Sequence, residues 1–170
     1  MKIRDAERKD LEAIVGIYNS TVPSRMATAD TEPVSVESRL KWFEEHRPDF
    51  RPLWVVEENG EVIAWLSYSS FYGRPAYDRT AEISIYVHPE RRGRGIGLSL
   101  LRKAIRKAPR LGLKTLLGFV FAHNTPSIRL FETFGFSTWG HLPRVAVLEG
   151  VERDLLILGL RLNEERSEVV

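Results

Sequence analysis

The segment Pro89-Glu90-Arg91-Arg92-Gly93-Arg94-Gly95-Ile96-Gly97 separates two stretches of different period. Before it, Ala81, Ile83, Ile85 and Val87 fall on one side of an extended chain, and Glu82, Ser84, Tyr86 and His88 on the other. After it, Gly97, Leu100, Leu101, Ala104, Ile105 and Ala108 form a stripe at helical spacing. Arg102, Lys103, Arg106 and Lys107 lie mostly off that stripe, and Pro109 ends it. Lys114 to Phe121 is then a strongly apolar β-rich run. A strand, glycine turn, helix and second strand in this order close as a β-α-β unit with parallel strands. The turn also leaves backbone N–H groups uncovered by side chains at a helix start, an arrangement that receives phosphate or pyrophosphate.

The flanking periods fill in the rest. Lys2 to Arg4 reads as a strand and Ala6 to Asn19 as a helix, with Leu11, Ile14, Val15 and Tyr18 in register and Asp5 as its N-cap. Val36 to Glu45 is a second helical segment. Leu53 to Glu57 and Val62 to Ser69 are β-rich runs around Asn59-Gly60, a dipeptide suited to a two-residue hairpin. Thr125-Pro126 predicts a helix start with Thr125 as N-cap, Gly135 its stop, and Phe136 to Val147 with Glu152 to Arg161 a closing hairpin.

Among the 170 residues no Pro/Gly/Ser-rich stretch marks a linker, so a single domain over 1–162 is expected, with a charged, frayed tail at 163–170. No apolar run reads as an export signal or reaches about 18 residues, so a cytoplasmic protein with no membrane partner is expected. The absence of cysteine excludes disulfides, thiolate metal sites and a cysteine nucleophile. A net charge of +2 argues against nucleic acid as a partner, and the basic residues around Arg91 to Lys107 fit a local anion site instead. His46, His88, His123 and His141 show no metal-ligand spacing, so no metal is expected.

Spacing separates the possible phosphate ligands. A P-loop requires G-x-x-x-x-G-K-[ST], whereas Gly97 is followed by Leu98-Ser99 and the phosphate-reaching lysine is missing. A dinucleotide fold requires G-x-G-x-x-G and an acid about 20 residues on; Gly95-Ile96-Gly97 runs into Leu98-Ser99-Leu100, and Leu113 to Leu117 holds no acid. A turn that only redirects the chain needs fewer glycines. The remaining pattern is R-x-x-G-x-G, filled by Arg92, Gly95 and Gly97.

On these residues the chain resembles the GNAT superfamily of acetyl-CoA-dependent N-acetyltransferases over nearly its whole length. Within it, the phosphinothricin and L-amino-acid N-acetyltransferase branch is nearest. Ile14 to Asn19 (IVGIYN), Arg39 to Trp42 (RLKW), Ala81 to Pro89 (AEISIYVHP), Asn124 with Ser127 to Leu130 (SIRL), and Gly135-Phe136 stand where that branch has similar residues. The resemblance implies a mixed α/β fold, the GNAT fold, with a central, mostly antiparallel sheet of about seven strands and flanking helices. It implies acetyl-CoA as co-substrate. The pantetheine arm would lie along Ile85, Tyr86 and Val87, and the pyrophosphate on Arg92, Gly93, Arg94, Gly95, Ile96, Gly97 and Leu98. Asn124 would touch the arm, and a backbone N–H near Val87 would face the thioester oxygen. A small-molecule amine acceptor, of amino acid or analogue type, and a homodimer are implied as well.

Acetyl transfer to an amine needs a base, because the amine is mostly ammonium at neutral pH. Glu82, an acid in an otherwise apolar strand, is the candidate, matching the branch's glutamate; a solvated or arginine-paired glutamate is the alternative. Tyr86 shares its face and would shape the acceptor pocket. By the same resemblance Tyr72, Arg74 and Tyr77 would hold the acceptor's carboxylate and side chain, unless that aromatic loop closes a dimer or the core edge. Two departures stand out. Phe131 occupies the place of the family's proton-donating tyrosine or histidine, so no general acid is assigned. Val147 to Asp154 replaces an aromatic and cationic segment with acids, and an acidic cleft around Glu149 and Glu152 would favour a cationic acceptor. These departures keep open a second function, an acyl-CoA-binding sensor with little turnover.

Overall fold

The computed structural model describes residues 1–162, so the tail at 163–170 lies outside the described residues. The alternating runs assemble into one seven-stranded sheet in the order β1-β2-β3-β4-β5-β7-β6. The strands are β1 (Lys2–Asp5), β2 (Leu53–Glu58), β3 (Glu61–Ser70), β4 (Thr80–Val87), β5 (Thr115–Phe121), β6 (Ser137–Leu148) and β7 (Val151–Arg161). Only β4 and β5 run parallel; every other neighbouring pair is antiparallel, as expected. Asn59 and Gly60 turn β2 into β3 with φ of 53° and 83°, the left-handed geometry that this dipeptide tolerates.

Helix α1 (Leu11–Asn19) and the short α2 (Leu40–Glu44) cover one face of the sheet; α3 (Ile96–Lys107) and α4 (Thr125–Glu132) cover the other. The alternation in β3 explains why both faces are packed. Ala64, Leu66 and Tyr68 meet Ile96, Leu100, Leu101 and Ala104 of α3, while Trp65 meets Ile14 and Ile17 of α1. Buried polar atoms pin the layers: the Tyr68 hydroxyl donates to the Ala104 carbonyl at 2.7 Å, and Trp65 Nε1 to the Ile14 carbonyl at 3.1 Å.

Pairing between β4 and β5 stops early. Thr80–Thr115, Ala81–Leu116 and Glu82–Leu117 are the only partners, although β4 continues to Val87 and β5 to Phe121. Just past the last pair the buried ring of Phe131 lies on Gly118, so close that a Cβ there would stand 2.8 Å from Phe131 Cε1. Phe131 also meets Phe136 edge-on, with centroids 4.9 Å apart. The residue that departs from the family pattern is thus a core side chain at the mouth of the splay.

Several local expectations change. Helix α1 begins at Leu11, after a 3-10 turn over Arg8–Asp10, and Asp5 stays in β1, accepting from Trp54 Nε1 at 3.0 Å. The cap is a capping box on that turn, with Glu7 at the N-cap: Asp10 Oδ2 accepts from the Glu7 N–H at 2.7 Å, and the Asp10 carboxylate is forked by Arg4 at 2.7 and 2.9 Å. The segment from Val36 divides into a 3-10 turn, Glu37–Arg39, and α2. The N-cap of α4 is Asn124, not Thr125: its Oδ1 accepts from the Ser127 N–H at 3.3 Å. No helix among the described residues is long and apolar enough to cross a membrane.

Candidate active site

Three cross-strand pairs of β3 and β4 share the α1 face: Trp65–Tyr86, Ser67–Ser84 and Ser69–Glu82. All six side chains line a cavity of about 230 Å³, completed by Ile14, Val15 and Tyr18 of α1, and by Val34, Arg39 and Trp42. Trp65 stacks on Tyr86 with centroids 4.5 Å apart and meets Trp42 at 5.6 Å. Glu82 is half-buried, and no cation among the described residues pairs with it. Burial raises its carboxyl pKa above the ordinary value, against a smaller opposing effect of a hydrogen bond with Ser84. Glu82 is therefore neither on a solvated face nor in an arginine pair, and its environment suits proton transfer.

The splay opens a second cavity, of about 490 Å³, on the other side of β4. Its backbone lining follows from the register. The His88 N–H donates to the Ile63 carbonyl, which makes that pair, and by alternation Trp65–Tyr86, the hydrogen-bonded ones. Ile85 and Val87 consequently turn their N–H and C=O groups away from β3, into the space that β5 has left. This is an unpaired strand edge inside the molecule, shaped to take an extended ligand.

Ile85, Tyr86, Val87, Arg92, Gly93, Gly95, Ile96, Gly97, Leu98 and Asn124 all line this cleft. Gly93 and Gly95 have φ of 74° and 75°, and a Cβ on either would meet nothing within 4 Å, so both backbones stand open. Gly95 is the N-cap of α3 and gives it no side-chain cap, which leaves the first-turn N–H groups available to an anion. The Arg94 guanidinium forks Glu58, with both contacts at 3.0 Å, and ties the turn to the β2–β3 hairpin, leaving only its backbone for the turn's ligand. Arg92 stays exposed, and its Nε reaches the Val87 carbonyl at 3.4 Å.

A strap between α1 and α2 roofs both cavities. Thr21, Ser24, Met26 and Ala27 line the cleft, and Val34 the cavity that holds Glu82. Side chains from elsewhere hold it down. Asn19 Nδ2 donates to the Val34 carbonyl and Asn19 Oδ1 accepts from the Val34 N–H, both at 2.9 Å. Tyr18 OH bonds Thr28 and Asp30. His123 Nε2 and Asn124 Nδ2 donate to the Arg25 and Met26 carbonyls at 2.8 and 3.0 Å. Asn124 thus caps α4, anchors the strap and faces the cleft together. Sequence reading missed the strap, along with Tyr18, Arg39, Trp42 and Trp65 in the cavity wall. Its only signals are Pro23, Pro33 and polar composition, which mark a loop without showing what it covers.

Tyr72, Arg74 and Tyr77 are not brought to Glu82. They are exposed, Tyr72 by 77%, on a loop where Phe71 gathers Tyr72 and Tyr77 with centroids 4.4 and 5.3 Å away. None of them lines the cavity. The acidic C-terminal segment does not line it either. Glu149 pairs with Arg25 at 3.1 Å, and Asp154 accepts from His141 at 2.7 Å and from the Arg144 N–H at 2.8 Å. Neither Glu149 nor Glu152 lines the cavity; among the described residues its wall carries one carboxylate, Glu82, and one cation, Arg39.

The sequence pattern of the acetyltransferase (GNAT) family matches residues 14–136. YwnH of Bacillus subtilis is 54% identical over 164 residues, 96% of this chain and all of that protein. An L-methionine sulfoximine/L-methionine sulfone acetyltransferase of Salmonella typhimurium is 35% identical, over 98% of both chains. The crystal structure of a GNAT superfamily phosphinothricin acetyltransferase from Sinorhizobium meliloti, in complex with acetyl-CoA, superposes with a TM-score of 0.90 at 30% identity. It covers 96% of this chain and 89% of that one.

Proposed function

The chain belongs to the acetyltransferase (GNAT) family, and on that premise we propose that it moves the acetyl group of acetyl-CoA onto the amine of a small amino acid or amino acid analogue, by direct attack in a ternary complex. One observation carries this: β4 presents Glu82 to one cavity and the free edge of Ile85 and Val87 to the other, and Tyr86 lines both. An amine held over Glu82 then lies next to a thioester laid along that edge.

When bound, acetyl-CoA supplies the activated acyl carbon. Gly93, Gly95 and the uncapped start of α3 receive its pyrophosphate, and the unpaired Ile85 and Val87 edge takes the pantetheine amides. The Val87 N–H faces the thioester oxygen and stabilises the charge that develops there. Glu82 accepts a proton from the ammonium, directly or through water, and its raised pKa brings it closer to the amine it must deprotonate. Of the two protons the ammonium gives up, one leaves through Glu82 to solvent and one ends on the CoA thiol. No side chain is assigned to that second transfer. Because Phe131 is explained by its packing on Gly118, its lack of a proton no longer favours a sensor without turnover.

The Salmonella relative, named for amino acid analogues, supports this acceptor class. The proposal includes a cytoplasmic location and a homodimer, the latter supported by the exposed apolar side chains of Trp139, Val145 and Val147 on the edge strand β6. The test is CoA release over a panel of L-amino acids and their analogues, repeated with Glu82→Gln. That substitution is expected to lower kcat by roughly 100-fold or more and to remove the acidic limb of the kcat/KM profile. An unchanged rate and profile would defeat the base assignment.

A further inference from the structure

We propose that Arg39 is the residue that binds the α-carboxylate of the acceptor and so sets the preference for an amino acid over its carboxamide; this rests on the transferase reading above. Among the described residues Arg39 is the only cation in the cavity wall, as Glu82 is the only acid. The two oppositely charged groups of a zwitterionic amino acid therefore meet two oppositely charged groups of the cavity, the ammonium at Glu82 and the carboxylate at Arg39.

The guanidinium is already held in place. Its Nη2 donates to Asp30 Oδ2 at 3.0 Å, and its carbon stands 4.9 Å from the centroid of the Tyr18 ring, whose hydroxyl bonds the same Asp30. Nε and Nη1 have no partner among the described residues, and the side chain is 30% exposed, so part of the fork remains for a ligand. With both charged groups bound, the acceptor's side chain is left against Trp42 and the Ser67 and Ser69 hydroxyls. Arg74, the arginine that sequence reading favoured for this task, is exposed and does not line the cavity.

The experiment uses the full chain and a matched pair of probes, L-methionine sulfone and its primary carboxamide. Binding is followed by tryptophan fluorescence, since Trp42 and Trp65 line the cavity, and turnover by CoA release. The wild type is expected to favour the acid over the amide by on the order of 10- to 100-fold, the discrimination typical of a charge-assisted hydrogen bond. Arg39→Gln should erase most of that preference by raising Kd and KM for the acid while leaving those for the amide. Arg39→Lys, which keeps the charge without the fork, should fall between. Equal binding of acid and amide by the wild type overturns the proposal. So does an equal loss for both probes in Arg39→Gln, which would mean that Arg39 only holds the strap. If no amine releases CoA while the acid preference still depends on Arg39, the carboxylate site stands and the transferase reading falls.

Discussion

Glu82 is disfavoured by the fold and, on the proposed reading, wanted by the chemistry. Its folded-state pKa lies above its unfolded value, so its contribution to stability is fully present below about pH 4, near the usual glutamate pKa, and is lost as pH rises through the folded value. Glu82→Gln, which imitates the protonated form, is therefore expected to melt at a higher temperature than the wild type at pH 8, and at nearly the same temperature near pH 4. A melting temperature at pH 8 no higher than the wild type's would show that burial does not strain this carboxylate. Glu82 was legible in the sequence because an acid in an apolar, alternating strand is anomalous without any partner. Arg39 was not, because a cation on a polar segment acquires meaning only from what lies across from it.

At the scale of elements, the active-site geometry depends on β4 and β5 parting after three pairs. Just past that point Gly118 and Phe131 stand in close contact, with the ring in the space a side chain at position 118 would need. Gly118→Ala is expected to destabilise the fold by about 1–3 kcal/mol, since the buried ring must move, and to raise KM for acetyl-CoA by disturbing the cleft. Thermal melts and saturation kinetics check this, and pairing it with Phe131→Leu should recover part of the stability. The β-α-β unit was readable from period and turn chemistry. Its splay was not, because the β-rich pattern of both strands continues past Glu82 and Leu117, where the pairing stops. The starts of α1 and α4 were misread for a similar reason: Asp10, in the capping box of the turn that leads into α1, also binds Arg4, and Asn124, the cap of α4, also binds the strap, and those partners are set by the fold.

At the scale of the whole molecule, the sheet ends on a long edge strand with Trp139, Val145 and Val147 exposed by 51%, 55% and 59%. Such an edge invites pairing unless something covers it. Light scattering is expected to give twice the 19.5 kDa chain mass, and Val145→Glu with Val147→Glu to shift it to the monomer. A monomeric wild type would remove the dimer from the proposal. The sequence by itself determined the order of strands and helices, the parallel crossover and the open glycine turn before α3, because each depends on a local period or on glycine at a few adjacent positions. Only the tertiary structure decided that Glu82, Arg39, Trp42 and Tyr18 share one cavity, that Arg94 is spent on Glu58, and that Tyr72, Arg74 and Tyr77 stand outside it. Those outcomes depend on strand register and on hydrogen bonds between distant segments, which no local pattern encodes.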